Sequence, residues 1–129
     1  MADIQIIHSD QAPKAVGPYS QAMQHGGMLY TSGQIGLDPQ AGVLVGEGVE
    51  AQAEQVMKNL SAVLEAAGAG VSDIIKVNIY LTDMADFPLV NVLYADWLGE
   101  HRPARATVAV AALPLAAKVE MDLIAMSSK

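Results

Sequence analysis

Two apolar runs close to the C-terminal end, Ala104-Arg105-Ala106-Thr107-Val108-Ala109-Val110-Ala111 and Val119-Glu120-Met121-Asp122-Leu123-Ile124-Ala125-Met126, flank a break at Leu113-Pro114. Runs of this length around a proline predict two strands, paired with each other. Pro103 cannot donate to a ladder and so belongs just ahead of the first strand. That strand is small or apolar on both sides, with Ala106, Val108 and Val110 on one and Thr107, Ala109 and Ala111 on the other. The chain's own helices can cover only one side of a sheet. The other side needs a partner, most economically a second copy. Composition points the same way: charged residues are only 16% of the chain against 52% hydrophobic, too few to clothe a small monomer.

At 129 residues the chain has the length of one domain with one core, residues 1–129. Ile4, Ile6 and Ile7 predict a short edge strand, and Ala12 to Pro18 a loop punctuated by Pro and Gly. Two β-prone runs, 19–24 and 28–35, surround His25-Gly26-Gly27 and predict a hairpin. Gly33, inside the second run, predicts a bulge or a close approach to the backbone. Asp38-Pro39-Gln40-Ala41-Gly42 is turn chemistry.

At Val49 the hydrophobic period changes. Val49, Ala53, Val56, Leu60, Val63, Leu64 and Ala67 recur at helical steps, with Glu50, Glu54, Lys58, Asn59 and Glu65 off that face, and Gly68 and Gly70 end the helix. Period two returns from Ile74 to Leu81, placing Ile75, Val77, Ile79 and Leu81 on one face and Lys76, Asn78 and Tyr80 on the other. Asp86 is the expected cap of a second helix, with Pro88 in its first turn and a stripe of Phe87, Val90, Tyr94, Trp97 and Leu98. The expected architecture is α+β: one sheet with two helices packed on one face.

A net charge of −7, with seven scattered basic residues, argues against nucleic acid as the main partner. There is no cysteine, and His8, His25 and His101 lie far apart, so no metal site is expected. Gly42, Gly46 and Gly48, like Gly68 and Gly70, match no phosphate-loop pattern. No signal-peptide pattern opens the chain, and no apolar run reaches the ~18 residues of a membrane span. A cytoplasmic protein is the expectation.

Few residues remain to carry chemistry. Arg105 opens a strand of small neighbours and could grip a carboxylate through two parallel hydrogen bonds, or serve as a surface or intersubunit cation. Glu120 stands in an apolar strand. If partly buried, its proton affinity rises and it becomes a base suited to neutral pH; otherwise it is a solvent-facing carboxylate. Tyr19 after Gly17-Pro18 could present a hydroxyl or simply pack. Ser32-Gly33 could offer a hydroxyl and a backbone N–H, or form a structural bulge. Asn91, with polar or small neighbours on its helix face, reads as exposed. These residues specify an oligomeric α+β domain with an Arg/Glu site for a small anion.

Five stretches in order, Gly17-Pro18-Tyr19-Ser20-Gln21-Ala22, Thr31-Ser32-Gly33-Gln34-Ile35-Gly36, Leu64-Glu65-Ala66-Ala67-Gly68, Pro103-Ala104-Arg105-Ala106-Thr107-Val108 and Leu113-Pro114 followed by Val119-Glu120, together resemble the RidA (YjgF/YER057c-type) family. The resemblance implies a chorismate-mutase-like fold with a mixed sheet, assembled as a barrel-like homotrimer with sites in the clefts between subunits. It implies an enamine/imine deaminase that hydrolyses 2-imino acids (2-aminoacrylate, 2-iminopropanoate, 2-iminobutanoate) to 2-oxo acids and ammonia, without cofactor or metal. Carried over residue by residue, Arg105 holds the substrate carboxylate and Glu120 activates water. Tyr19, Ser32, Gly33 and Asn91 line the pocket. Thr107 stands where many relatives have cysteine, which leaves a backbone contribution there intact. A non-catalytic trimer that binds small carboxylates, and a ribonuclease or translation inhibitor, are the competing expectations.

Overall fold

The computed structural model describes residues 3–127. Seven strands and two long helices follow in the order β1 (Gln5–Ile7), β2 (Ala22–His25), β3 (Met28–Thr31), β4 (Gln34–Ile35), α1 (Val49–Ala66), β5 (Ile74–Leu81), α2 (Phe87–Leu98), β6 (Ala104–Ala109) and β7 (Val119–Met126). The strands form one sheet in the order β1-β2-β3-β7-β5-β6, with β4 also paired to β7. Every pairing is antiparallel except β5 with β6. The fold is α+β with a mixed sheet and both helices on one face, as expected. Among the described residues no helix is long and apolar enough to cross a membrane.

The two closing runs are strands, but they do not pair with each other. β5 lies between them, parallel to β6 and antiparallel to β7. The reason is the helix that precedes β6. A strand that follows its neighbour through a crossover helix returns parallel to it, so β5, α2 and β6 form one β–α–β unit. That leaves the other edge of β5 for β7.

Leu29, Leu60, Ile79, Leu81, Met121 and Leu123 are fully buried between sheet and helices. The opposite face is open and apolar: Ile6, Met23, Tyr30, Val108 and Met126 are all exposed. The Gly26-Gly27 turn of the β2–β3 hairpin has φ of 58° and 78°, the positive pair that a tight two-residue turn demands.

Three local expectations shift. A register break between Ile74 and Lys76 buries Ile74 and leaves Ile75 42% exposed, so Ile75 does not share the inward face. Asp86 caps nothing with its side chain. Asp83 accepts from the Ala85 N–H instead and caps a 3₁₀ turn, Met84–Asp86, which leads into α2 with Pro88 in its first turn. Asn59, placed off the buried face by the helical count, is fully buried.

Asn59 shows how the loops are held. Its Nδ2 donates to the carbonyls of Ile35 (3.3 Å) and Leu37 (3.1 Å), and its Oδ1 accepts from Gln55. Buried Gln52 donates to the Gly46 carbonyl and accepts from the Lys118 N–H, both at 2.8 Å. Gln21 accepts from the Ser9 N–H and donates to the carbonyls of Ser9 and Pro13. Buried amides thus satisfy loop backbone that has no ladder partner.

α1 also crosses Gly36 closely. A Cβ there would lie 2.8 Å from both Cα and the carbonyl oxygen of Gln52. Because those are backbone atoms, Gly36→Ala is expected to cost about 2 kcal/mol through overpacking, roughly 8 °C in Tm, measured by thermal denaturation.

Candidate functional site

Glu120 is set by its neighbours on two strands. It stands opposite Ile35 of β4 on one side and Tyr80 of β5 on the other, on the open face of the sheet. Between Tyr30↔Ile124 and Gln34↔Met121, the chain places Thr31, Ser32 and Gly33 against only Asp122 and Leu123. This is a bulge, and the Thr31 hydroxyl accepts the Leu123 N–H at 3.0 Å where the ladder is interrupted. The bulge brings Gly33 over the carboxylate: a Cβ at Gly33 would lie 2.5 Å from Glu120 Oε2 and 2.8 Å from its Cδ. Both readings of Gly33, bulge and close approach, therefore hold. The glycine is needed because a carboxylate occupies the space of a side chain.

Glu120 opens into a groove of about 280 Å³ whose walls include Tyr19, Gly33, Ile35, Pro114 and Leu115. Tyr19 is presented by a tight turn in which its N–H donates to the Gly17 carbonyl at 2.8 Å, and its ring is 51% exposed. Ser32 sits beside this groove. Its N–H donates to the Gln21 carbonyl and its hydroxyl to the Ser20 carbonyl at 2.6 Å. The Ser32 oxygen is left able to accept but not to donate.

Burial, and secondarily the negative charge of Asp122, pushes the Glu120 carboxyl above its ordinary value of 4.5. Asp122 is itself engaged, accepting from Asn78 Nδ2 (2.8 Å) and Tyr80 Oη (3.0 Å). A carboxyl with a raised folded pKa adds stability below pH 4.5, and that contribution is lost as pH rises through the raised value. At neutral pH the ionised group therefore costs stability. Glu120→Gln is expected to melt above the parent at pH 7, by no more than about 1 kcal/mol at this half-open position, with the gain vanishing near pH 4. Paired melting curves from pH 4 to pH 8 measure it.

Arg105 occupies a different place. It lies opposite Val77 in the β5–β6 register, on the helix side of the sheet. Its Nη1 donates to Asn91 Oδ1 at 2.6 Å, and its guanidinium carbon lies 5.2 Å from the ring centroids of both Phe87 and Tyr94. The sequence pattern made Asn91 an exposed residue among polar or small neighbours. It is exposed, but its face of α2 carries two aromatic rings at helical spacing, Phe87 and Tyr94. These rings hold the cation by cation–π attraction, so the fork is oriented before any ligand arrives.

The groove around Arg105, about 520 Å³, is lined by Asn91, Tyr94, Leu98, Arg102 and Pro103. No carboxylate lines it. Among the described residues the one ion pair is His8 with Asp10, so Arg105 is a permanent cation with no acidic partner. Two buried hydroxyl oxygens, Tyr94 Oη and Thr107 Oγ1, have no hydrogen-bond partner among the described residues. Burial pushes the Tyr94 hydroxyl up, against the opposing pull of Arg105 and Arg102.

Arg105 and Glu120 are therefore not on neighbouring strands. β5 separates them, they project from opposite faces, and each lines its own groove. Asn91 goes with Arg105; Tyr19 and Gly33 go with Glu120. Pairing the two closing runs with each other predicts one shared Arg/Glu site; the strand that separates them comes from earlier in the chain. The rings of Phe87 and Tyr94 were missed as site residues, though the steps 87, 91 and 94 put them on one helix face with Asn91. Among the described residues no group of three or more His, Asp or Glu could hold a metal ion.

Known proteins resemble this chain along most of its length. A family model described as endoribonuclease L-PSP matches residues 9–127. The protein named DfrA from Myxococcus xanthus is 54% identical over 123 residues, covering 94% of each chain. The 2-iminobutanoate/2-iminopropanoate deaminase of Mus musculus is 46% identical over 121 residues, covering 94% of this chain and 90% of that one. The crystal structure of E. coli TdcF with bound serine superposes with a TM-score of 0.91 at 41% identity, covering 96% of this chain and 99% of that one. With the family model spanning nearly the whole domain and relatives this similar, the chain belongs to the endoribonuclease L-PSP family, the RidA family of imine deaminases and their relatives.

Proposed function

We propose that this protein hydrolyses small 2-imino acids to 2-oxo acids and ammonia, in a site that two copies complete within a homotrimer. The observation that carries the reading is the division of labour. One groove holds a fixed cation with no acid partner, Arg105 on Asn91, and the other a carboxyl of raised proton affinity, Glu120 under Gly33. One chain cannot bring both to the same small molecule. The open apolar face with Ile6, Tyr30 and Val108 supports association of copies across it, which would bring the Arg105 edge of one toward the Glu120 groove of the next.

In such a cleft the Arg105 fork takes the substrate carboxylate. An enamine first gains a proton on carbon and loses one from nitrogen to become the imine, whose C=N carbon is already electrophilic. Glu120, ionised, removes a proton from water as its oxygen bonds to that carbon, and the C=N π electrons move to nitrogen. The protonated carboxyl then returns its proton to nitrogen, giving the carbinolamine; Glu120 next relays the hydroxyl proton to nitrogen, so that the C–O bond becomes C=O as the C–N bond breaks. Ammonia leaves and the 2-oxo acid remains. The net change consumes one water and releases one ammonia, with no redox step. Positioning can supply several kcal/mol of the barrier, and general acid–base help a factor of about 10²–10⁴. Tyr19 and Gly33 shape the wall beside the reacting carbon, Ser32 fixes the bulge, and Thr107 follows Arg105 by two residues on the same side of β6. The cytoplasm, where such imines arise from dehydratases acting on serine and threonine, is the proposed location.

Coupling the protein to a threonine dehydratase and following loss of the imine tests this. Acceleration that disappears in Glu120→Gln is the expected result; no acceleration over buffer overturns it. A trimer that only binds small carboxylates would keep its affinity in Glu120→Gln and show no turnover. The endoribonuclease wording attached to the family keeps RNA in view. A charge of −7 with no basic run opposes it, since phosphate neutralisation supplies most nucleic-acid affinity.

A further inference from the structure

The connection between β6 and β7 contains the only non-glycine residues with positive φ among those described: Leu115 at 57° and Ala116 at 59°. L-residues with side chains are disfavoured there, and two in succession persist only where the surroundings hold them. Here the Ala117 N–H donates to the Pro114 carbonyl at 3.0 Å, and Gln52 grips the Lys118 N–H from α1. The loop is thus fixed at both ends of its disfavoured pair. What the conformation achieves is to stand Leu115, 65% exposed, at the groove that contains Glu120.

A leucine left open to solvent by a disfavoured backbone has no packing explanation within the chain. The groove supplies one. Val16, Tyr19, Ile35 and Pro114 share its wall with Leu115, and Lys14 and Gln34 are its other polar side chains, so the carboxylate of Glu120 looks out between largely apolar surfaces. The Arg105 groove, by contrast, presents Asn91 and Arg102 beside the cation. On the deaminase reading, on which this inference rests, the polar groove takes the carboxylate of the imino acid. The remaining part of the ligand, its side chain, falls to the apolar groove.

We infer that Leu115 is a specificity-determining residue. It selects 2-imino acids whose side chains are apolar and longer than a methyl group, the class formed by oxidation of branched or long apolar amino acids. Seating the longer apolar side chain against such an open wall is worth about tenfold in kcat/KM, the low end of what a single methylene gains in an enclosed pocket. The groove's volume of about 280 Å³ leaves room for a chain of that size.

The test generates imines in place with an L-amino acid oxidase, from leucine and from alanine, and follows their hydrolysis in competition with semicarbazide trapping. The parent protein is expected to favour the leucine-derived imine by about tenfold in kcat/KM. Leu115→Asn is the informative variant, because asparagine accepts positive φ and is close to leucine in size. It should lower kcat/KM for the leucine-derived imine at least fivefold more than for the alanine-derived one. Ala116→Gly, which relaxes the neighbouring backbone without touching the wall, should raise Tm and preserve the preference. A preference unchanged in Leu115→Asn, or an equal loss on both imines, overturns the role of Leu115 while leaving the deaminase standing. A parent protein that accelerates neither imine overturns the deaminase reading and this inference with it.

Discussion

Arg105→Ala is expected to lower kcat/KM for imine hydrolysis about a thousandfold while leaving the fold in place. A bidentate, charge-assisted grip on a carboxylate contributes about 4 kcal/mol, and each 1.36 kcal/mol is tenfold in rate. Little stability is at stake. Arg105 is exposed on an edge strand and contributes one hydrogen bond to Asn91 and its contacts with two rings, so the cost should stay near 1 kcal/mol. Arg105→Lys should recover only a small part of the activity. An ammonium is a point charge without the planar fork, and it interacts less well with the Phe87 and Tyr94 rings, whose centroids each lie 5.2 Å from the guanidinium carbon. Steady-state kinetics beside a melting curve decide it. An Arg105→Ala protein that keeps full activity removes the clamp from the mechanism.

The second large effect comes from a single methyl group. Gly33→Ala places a Cβ where the Glu120 carboxylate now stands. The atoms in its way are the far end of a flexible side chain, not backbone, so the carboxylate swings aside and the protein folds with a loss below about 1 kcal/mol. Catalysis should not be spared. A base moved by about 1 Å from its water loses about a hundredfold in kcat, with KM changing much less because the Arg105 groove is untouched. The pattern separates this change from Gly36→Ala, where the obstruction is the backbone of α1 and stability falls instead. Measuring kcat, KM and Tm on both variants distinguishes a displaced base from a strained fold.

The sequence was legible wherever the information was local. Two glycines between β-prone runs fixed the hairpin, helical steps from Val49 fixed α1, and the lone glycine at position 33 flagged the place where Glu120 approaches. What escaped was non-local. Nothing in the runs ending at Ala109 and starting at Val119 reveals that β5 inserts between them, and the shared-site reading of Arg105 and Glu120 followed from that gap. Asn59 read as a solvent residue because helical counting ranks residue types by polarity. Its burial depends on carbonyls of Ile35 and Leu37 more than twenty positions away. Ile75 and Asp86 failed for a smaller reason: a single-residue register break, or a 3₁₀ turn ahead of a helix, moves the phase of a pattern without altering its composition.

β6 ends the sheet, and its outer row of N–H and C=O groups faces no other described strand. Alanines at 104, 106 and 109 leave Arg105 as the one charged side chain along it. A copy without a partner therefore carries a thinly guarded margin beside Arg105, open to pairing with the edge of another chain.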